Sequence, residues 1–309
     1  MYVHRQELQH RSTPDKPDAI YARKLQEVLG GQYGEITVAL QYQFQAWNMH
    51  IPGKYRDLVF GIGAEEMGHV EMLAVMIAQL LEKSPLGLTE DAVQNDPTVA
   101  AIIGGTDVQQ GIVAGAGARP VDSNGNPWMG SFITSSGNLL ADFQANANAE
   151  MQGRVQVARL YHMTDDHGVR DLLSFLLARD TMHQNQWLAA AAELQAEGVE
   201  SLPVPSNFPL ENEQRDVAYQ YINFSDGAAA SEGSWASGPT PDGLGEFSYL
   251  DAPEAGVPMP GPTVPDPRFY GTTALPNEAE QAAGSKKDKQ DTKESAKRST
   301  AKKAKPKKR

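Results

Sequence analysis

Four short stretches carry carboxylate and imidazole side chains at intervals that restrict the fold more tightly than composition does. They are Glu35, then Glu66-x-x-His69, then Glu150, then His183 with Asp180 three residues before it. Glu35 lies 31 residues before Glu66, and Glu150 lies 33 before His183. Each interval suits one antiparallel helix pair with a short turn, which brings its two ends to the same height. Residues three apart share a helix face, so Glu66 and His69 can grip one cluster while Asp180 and His183 approach it likewise. The two halves read as a duplicated helical hairpin, and the expected fold is an all-α four-helix bundle with a dinuclear metal site between its helices.

Chance has to be weighed against this reading, because Glu is common on helices and a single E-x-x-H pair arises readily in a chain of 309 residues. The setting argues against chance. Glu35 lies among Ile36, Val38, Ala39 and Leu40, and His69 is flanked by Val70, Met72 and Leu73. Carboxylates facing a core are costly unless they are paired or bound to a cation. The chain has no cysteine, which excludes disulfides, thiolate ligands and iron–sulfur clusters and leaves oxygen and imidazole nitrogen as donors. Manganese and iron fit such a set. His162 and His167 are assigned to the surface or to a turn.

The pattern predicts an arm over residues 1–17, a first helix over Asp18–His50 between Pro17 and Pro52, and a second over Lys54–Lys83. Gly30, Gly31 and Gly34 mark a close approach or an interruption inside the first. Residues 84–136 are rich in Gly and turn residues, including Gly104-Gly105 and Ser123-Asn124-Gly125-Asn126-Pro127, and read as a long crossover. A third helix is expected over Asn138–Met163 and a fourth over Val169–Glu197, joined by a polar turn at 164–168. These elements make one bundle domain, 18–198. Residues 199–275 turn to Pro, Gly, Ser and aromatics, with short extended pieces such as Phe247-Ser248-Tyr249, and read as an arm wrapping the bundle or a neighbouring subunit.

Charge divides the chain further. Residues 286–309 hold 12 Lys or Arg against 3 Asp or Glu, leaving the preceding 285 residues with a net charge of −21 out of the total of −12. The Lys-rich stretch 276–309 has too little apolar content to offset the entropy of ordering and is expected to be a disordered tail. It suits loose contact with nucleic acid or another acidic surface through counterion release, or equally a solubilising role. No run of 18 apolar residues occurs and the first 25 are polar, so neither a membrane span nor a secretory signal is expected, which implies a cytoplasmic protein.

Several stretches together resemble one family. Gly34-Glu35, Glu65-Glu66-Met67-Gly68-His69-Val70-Glu71-Met72, Thr134-Ser135-Ser136-Gly137-Asn138-Leu139, Leu177-Ala178-Arg179-Asp180-Thr181-Met182-His183-Gln184 and Asn223-Phe224-Ser225-Asp226-Gly227 are similar to the manganese catalases, non-haem enzymes of the ferritin-like class. The similarity runs from Met1 to about Gly271. It implies two Mn per subunit, with Glu66 bridging both, Glu35 and His69 completing one and Glu150 and His183 the other. It also implies that hydrogen peroxide is disproportionated to water and dioxygen as the pair cycles between two Mn(II) and two Mn(III), and that the enzyme is a homohexamer. Two metals supply both electrons together and clamp both oxygens of the substrate.

Proton transfer and imidazole orientation require further groups. Tyr42, two helical turns after Glu35, and Asp180, one turn before His183, are the candidates. The plainer readings are a core aromatic for Tyr42 and a helix charge paired with Arg179 or Arg170 for Asp180. Ala149 stands where some members of the family have an arginine, and Asp180 stands where glutamate is common. A calcium site at a subunit contact is matched by Asp57, Asn223, Ser225 and Gly227, but Gly61 replaces a carboxylate, which predicts weak calcium binding or none. Two other functions use the same features: a ferritin-like di-iron oxidase or peroxide-scavenging iron protein, and a non-catalytic assembly protein with a nucleic-acid-associating tail.

Overall fold

The computed structural model describes residues 4–51, 53–82, 108–199, 208–254, 256 and 258–261. All its regular elements fall in the unit Met1–Asp251, and the described residues of the second unit, which begins at Ala252, form none.

Helix α1 spans Ala19–Gly30, and its first turn is capped by the Asp18 carboxylate, which accepts from the Tyr21 amide. Here the chain departs from the single helix expected over Asp18–His50. It breaks at Gly31 and restarts as α2, Glu35–Asn48. The apolar periodicity runs across the break and conceals it; the glycines explain it. A Cβ on Gly30 would lie 2.4 Å from the Val121 carbonyl oxygen, and one on Gly34 would lie 2.6 Å from that of Val28. Only glycine lets the backbones pass so closely. The break places Glu35 at the first position of α2.

Helix α3 is one uninterrupted element, Lys54–Leu80, and Lys83, its expected end, lies outside the described residues. Helix α4 is a short turn, Val108–Ile112; α5 spans Leu139–Tyr161 and α6 spans His167–Ala196. Asn138 caps α5 by accepting from the Ala141 amide, and Asp166 caps α6 by accepting from the Val169 amide. That second cap pulls His167 out of the expected turn and into the first position of α6. Its ring is exposed and meets Asp15 at 2.9 Å, while His162 caps the end of α5, so both stay away from the centre.

Helix α2 packs chiefly on α3 and α5 on α6, which gives the two expected hairpins. Their core is split. One apolar cluster gathers Leu25, Leu29, Leu73, Ile77, Leu173 and Leu176 with their neighbours; the other gathers Tyr42, Ile62, Phe143, Trp187 and Leu194 with theirs. Each leg, with α1 and α2 counted as one, crosses from one cluster to the other through a buried polar layer. Glu35, Glu66, His69, Glu150, Asp180 and His183 form that layer.

The crossover clasps the first leg. Gln26 donates to the carbonyls of Arg119 and Val121, Trp128 Nε1 donates to Thr37 Oγ1 at 2.9 Å, and the Thr134 amide donates to Gln41 Oε1 at 2.8 Å. The predicted turn at 123–127 is present: Asp122 accepts from the amides of Asn124 and Asn126, and Gly125 takes a φ of 85°. Residues 83–107, with Gly104-Gly105, lie outside the described residues.

Helix α7, Arg215–Ala218, leads into a three-stranded sheet of β1 (Gln220–Ile222), β2 (Gly238–Pro239) and β3 (Glu246–Leu250) in the order β1-β3-β2. Strand β3 contains the expected Phe247-Ser248-Tyr249, pairs in parallel with β1 and antiparallel with β2. Residues 262–275 of the expected arm and the tail 276–309 lie outside the described residues. No described helix is long and apolar enough to cross a membrane.

Candidate metal centre

The geometry converges on Glu66, halfway along α3. Its Oε2 lies 2.7 Å from His69 Nδ1, one turn along the same helix, and its Oε1 lies 2.5 Å from His183 Nδ1 on α6. One carboxylate therefore offers one oxygen to each of two sites. On the His69 side Glu35 Oε2 stands 3.6 Å from Nδ1; on the His183 side Glu150 Oε1 stands 4.0 Å from Nδ1. Within each of the groups Glu35–Glu66–His69 and Glu66–Glu150–His183, one donor atom per residue comes within 4.8 Å of the others. All five side chains proposed from the sequence meet here, and Glu66 belongs to both groups.

Electrostatics show what this layer lacks. Burial, reinforced by the charge of Glu66, raises the Glu35 carboxyl to about 8. Burial and then Glu66 raise Glu150, and burial and then Glu35 raise Asp180, each well above the usual carboxylate range. Burial opposes ionisation of Glu66 too, but the imidazoles of His69 and His183 outweigh it and hold that carboxyl low. Burial disfavours imidazolium, yet Glu65 and Glu66 raise His183 to about 10, and Glu66, Glu35 and Glu65 raise His69 further. The shifts run in the direction that lessens an excess of negative charge in a buried layer, and bound cations would supply the same balance.

Hydrogen bonding supports that reading. Both oxygens of Glu66, both ring nitrogens of His69 and both of His183 are buried without a well-aligned hydrogen-bond partner. A buried unsatisfied polar atom costs about 1–3 kcal/mol. The four that face one another, the two Glu66 oxygens and the two Nδ1 atoms, are oxygen and imidazole nitrogen donors that fit a pair of manganese or iron ions.

Tyr42 is a core aromatic whose hydroxyl also reaches the polar layer. It is fully buried with its ring 4.9 Å from that of Trp187, and its hydroxyl donates to Glu150 Oε1 at 2.5 Å. Trp187, which the sequence did not single out, donates to the same oxygen at 3.3 Å. Asp180 is buried in the layer and pairs with neither Arg179 nor Arg170. Those arginines meet Glu65 at 2.6 Å and Asp165 at 2.8 Å. Ala149 belongs to the apolar cluster around Phe143.

Glu65 is the larger omission. It sits on the outer side of both histidines, with Oε2 3.1 Å from His183 Nε2 and Oε1 3.8 Å from His69 Nε2. Burial works against its charge, but the adjacent imidazoles of His183 and His69 and the hydrogen bonds from Arg179 and Gln9 keep it ionised far below its ordinary range. The signal in the sequence was a second glutamate four residues before His69, on the same helix face.

Three of the residues matched to calcium lie in one loop of the C-terminal arm, and the fourth, Asp57, lies on α3. Asn223 Oδ1 accepts from the Ser225 amide, Ser225 Oγ accepts from the Gly227 amide, and Asn223 donates to the Gly227 carbonyl at 3.2 Å. That loop is closed on itself, and among the described residues no hydrogen bond or ion pair joins it to Asp57 in the first turn of α3.

Comparison with known proteins agrees with the geometry. Residues 1–290 match the family model described as manganese containing catalase. The chain is 55% identical over 250 residues to a manganese catalase of Bacillus subtilis, covering 81% of this chain and 90% of that protein. It is 42% identical over 272 residues to the manganese catalase of Lactiplantibacillus plantarum, covering 87% and 98%. The crystal structure of KatB, a manganese catalase from Anabaena, superposes with a TM-score of 0.64 at 26% identity, over 82% of this chain and all of that one. A bundle whose central glutamate faces two histidines, and whose sequence matches along nearly its whole length, belongs to the manganese-containing catalase family.

Proposed function

We propose that Glu35, Glu66 and His69 hold one manganese ion, that Glu66, Glu150 and His183 hold a second, and that hydrogen peroxide is disproportionated between them. The observation that carries this assignment is the pair of contacts from the two oxygens of Glu66 to His69 and His183, 2.7 and 2.5 Å. When bound, the two ions supply both redox equivalents by cycling between two Mn(II) and two Mn(III), and polarise both oxygens of peroxide.

The protein's own part is to orient and to move protons. Tyr42 and Trp187 fix Glu150 by donating to Oε1, the oxygen that stands 4.0 Å from His183 Nδ1. Asp180, buried in the layer and paired with no arginine among the described residues, is placed to act as a carboxylate that takes a proton from peroxide and returns it to the departing hydroxide once cations are bound. The apolar clusters on either side keep the layer dry, which strengthens every charge interaction in it.

The assignment extends to the assembly. Phe44 and Trp47, exposed and edge to face at 5.1 Å on α2, offer an apolar contact surface; the homohexamer itself is what the family resemblance implies, tested by light scattering after gel filtration. Calcium at a contact between subunits requires Asp57 of one chain to meet the Asn223–Gly227 loop of another. Equilibrium dialysis against calcium tests it.

The deciding experiment measures dioxygen release from hydrogen peroxide and metal content on one purified sample. Two Mn per chain with rapid release is the expected result. Iron without release would move the protein to the di-iron reading with the same five ligands. Glu66→Ala is expected to abolish both metal binding and release while the oligomer persists.

A further inference from the structure

On the reading that His69 and His183 are manganese ligands, we propose that Glu65, held by Arg179 and by Gln9 of the N-terminal arm, is a positioning residue that fixes both imidazoles at once.

Each imidazole has its Nδ1 turned inward to Glu66 and its Nε2 turned outward to Glu65. The Glu65 carboxylate stands 3.1 and 3.8 Å from the two outer nitrogens, and, without an aligned hydrogen bond to either, its charge still favours the same tautomer in both rings, with the proton on Nε2 and the lone pair of Nδ1 free for a cation. The symmetry is informative. An acid beside a single histidine would tune one ion; an acid between two ties the halves of the centre together.

Glu65 can serve this way only if it is itself held. Arg179 forks onto it, with Nε 2.6 Å from Oε1 and a terminal nitrogen 3.2 Å from Oε2, a two-point grip that sets the carboxylate plane. Gln9 Nε2 donates to Oε1 at 2.7 Å from a segment distant in sequence. The arm bearing Gln9 is anchored on both sides. Before it, His4 meets Glu71 at 2.8 Å; after it, His10 and Ser12 both reach Asp171, and Asp15 binds the Asp166 carboxylate through its amide at 2.8 Å. The backbone of Thr13 crosses α6 at Gly168, where any Cβ would overlap its carbonyl oxygen at 1.7 Å. His10 also stacks on Phe175 with ring centroids 4.5 Å apart, and the Phe175 ring stands at 82° to that of His69. Residues 4–15 thus form a strap across α3 and α6 that covers the outer side of the histidine pair.

The test is the rate at which manganese passes from loaded protein to excess EDTA, for wild type, Glu65→Gln and Gln9→Ala. Manganese per chain is read by plasma mass spectrometry, and the metal-free forms are melted in parallel. Glu65→Gln keeps the side chain's shape but loses the charge, and is expected to release both ions on the order of 10–100-fold faster. Gln9→Ala, which loses one hydrogen bond, is expected to release them about fivefold faster while its metal-free form melts as wild type does. Wild-type rates in both variants, with two ions in wild type, would overturn the clamp and leave the ligand assignment standing. Equal loss of stability with and without metal in Gln9→Ala would reduce the strap to ordinary packing and overturn its positioning role. Wild-type protein that takes up no manganese would overturn the ligand assignment, and the clamp with it.

Discussion

Replacing Tyr42 by Phe isolates one hydrogen bond at the centre. The hydroxyl donates to Glu150 Oε1 at 2.5 Å from a ring that is wholly buried and 4.9 Å from Trp187. Phe keeps that ring and nearly the same volume, so the apolar cluster stays filled. What remains on Glu150 is the longer bond from Trp187 at 3.3 Å. In the loaded protein Glu150 is a carboxylate, and a hydrogen bond to a charged group is worth about 1.5–3 kcal/mol. In the metal-free protein burial, reinforced by the charge of Glu66, pushes the Glu150 carboxyl well above its usual range and toward its neutral form, so the lost bond there is worth only about 1 kcal/mol. Set against that smaller worth, the difference of about 0.5–2 kcal/mol should lower manganese affinity by roughly 2- to 30-fold at about 1.4 kcal/mol per tenfold. The variant should therefore fold nearly as well as wild type and bind metal less tightly. Titration with manganese against a competing chelator measures the first quantity and thermal melting the second. An affinity within twofold of wild type would refute the claim that Tyr42 orients Glu150.

Asp180→Asn removes the proposed proton carrier without changing its size; dioxygen release should fall on the order of 100- to 10,000-fold while two ions remain bound. Retention of full activity would remove Asp180 from the chemistry. For the metal-free protein, Glu35 is raised from 4.5 to about 8, so it stabilises the fold below about pH 4.5 and that contribution is lost as pH rises toward 8. His183, raised from 6.5 to about 10, acts in the same direction over a higher range. Melting temperature without metal should accordingly fall from pH 5 to pH 10, and manganese should flatten the slope; a metal-free profile that rises over this range would contradict the charge balance. Gly30→Ala forces a Cβ to within 2.4 Å of the Val121 carbonyl oxygen and should destabilise the protein by about 1–3 kcal/mol, visible in denaturant melts.

The five donors were legible because metal chemistry demands particular residue types and a bundle demands their spacing, so two constraints fell on the same few positions. Helix ends were legible where a capping side chain marks them, as at Asn138. The break between α1 and α2 was not, because apolar periodicity continues across it and the reason for it, the Val121 backbone against Gly30, lies some ninety residues away. His167 was misplaced by a few residues because the Asp166 cap starts α6 earlier than the apolar pattern does. Glu65 carried a local signal, its spacing from His69, that was eclipsed by the stronger claim of Glu66. Gln9 and Trp187 carried none. Their roles depend on where a strap and a distant helix turn come to rest, and no spacing along the chain encodes that.

The division of the core has a consequence for how the protein comes apart. The described apolar residues fall into two separate clusters, and the layer between them holds carboxyls pushed well up by burial and by neighbouring charge. Without metal, each end of the bundle is close to being its own cooperative unit, and the acidic middle is a fault line along which opening begins. Cations seated there draw all the legs together at mid-height and bind only the closed arrangement, which by mass action raises the free energy of opening. Manganese thereby merges two folding units into one, and loaded protein should melt in a single calorimetric transition where the metal-free form shows a broader or divided one.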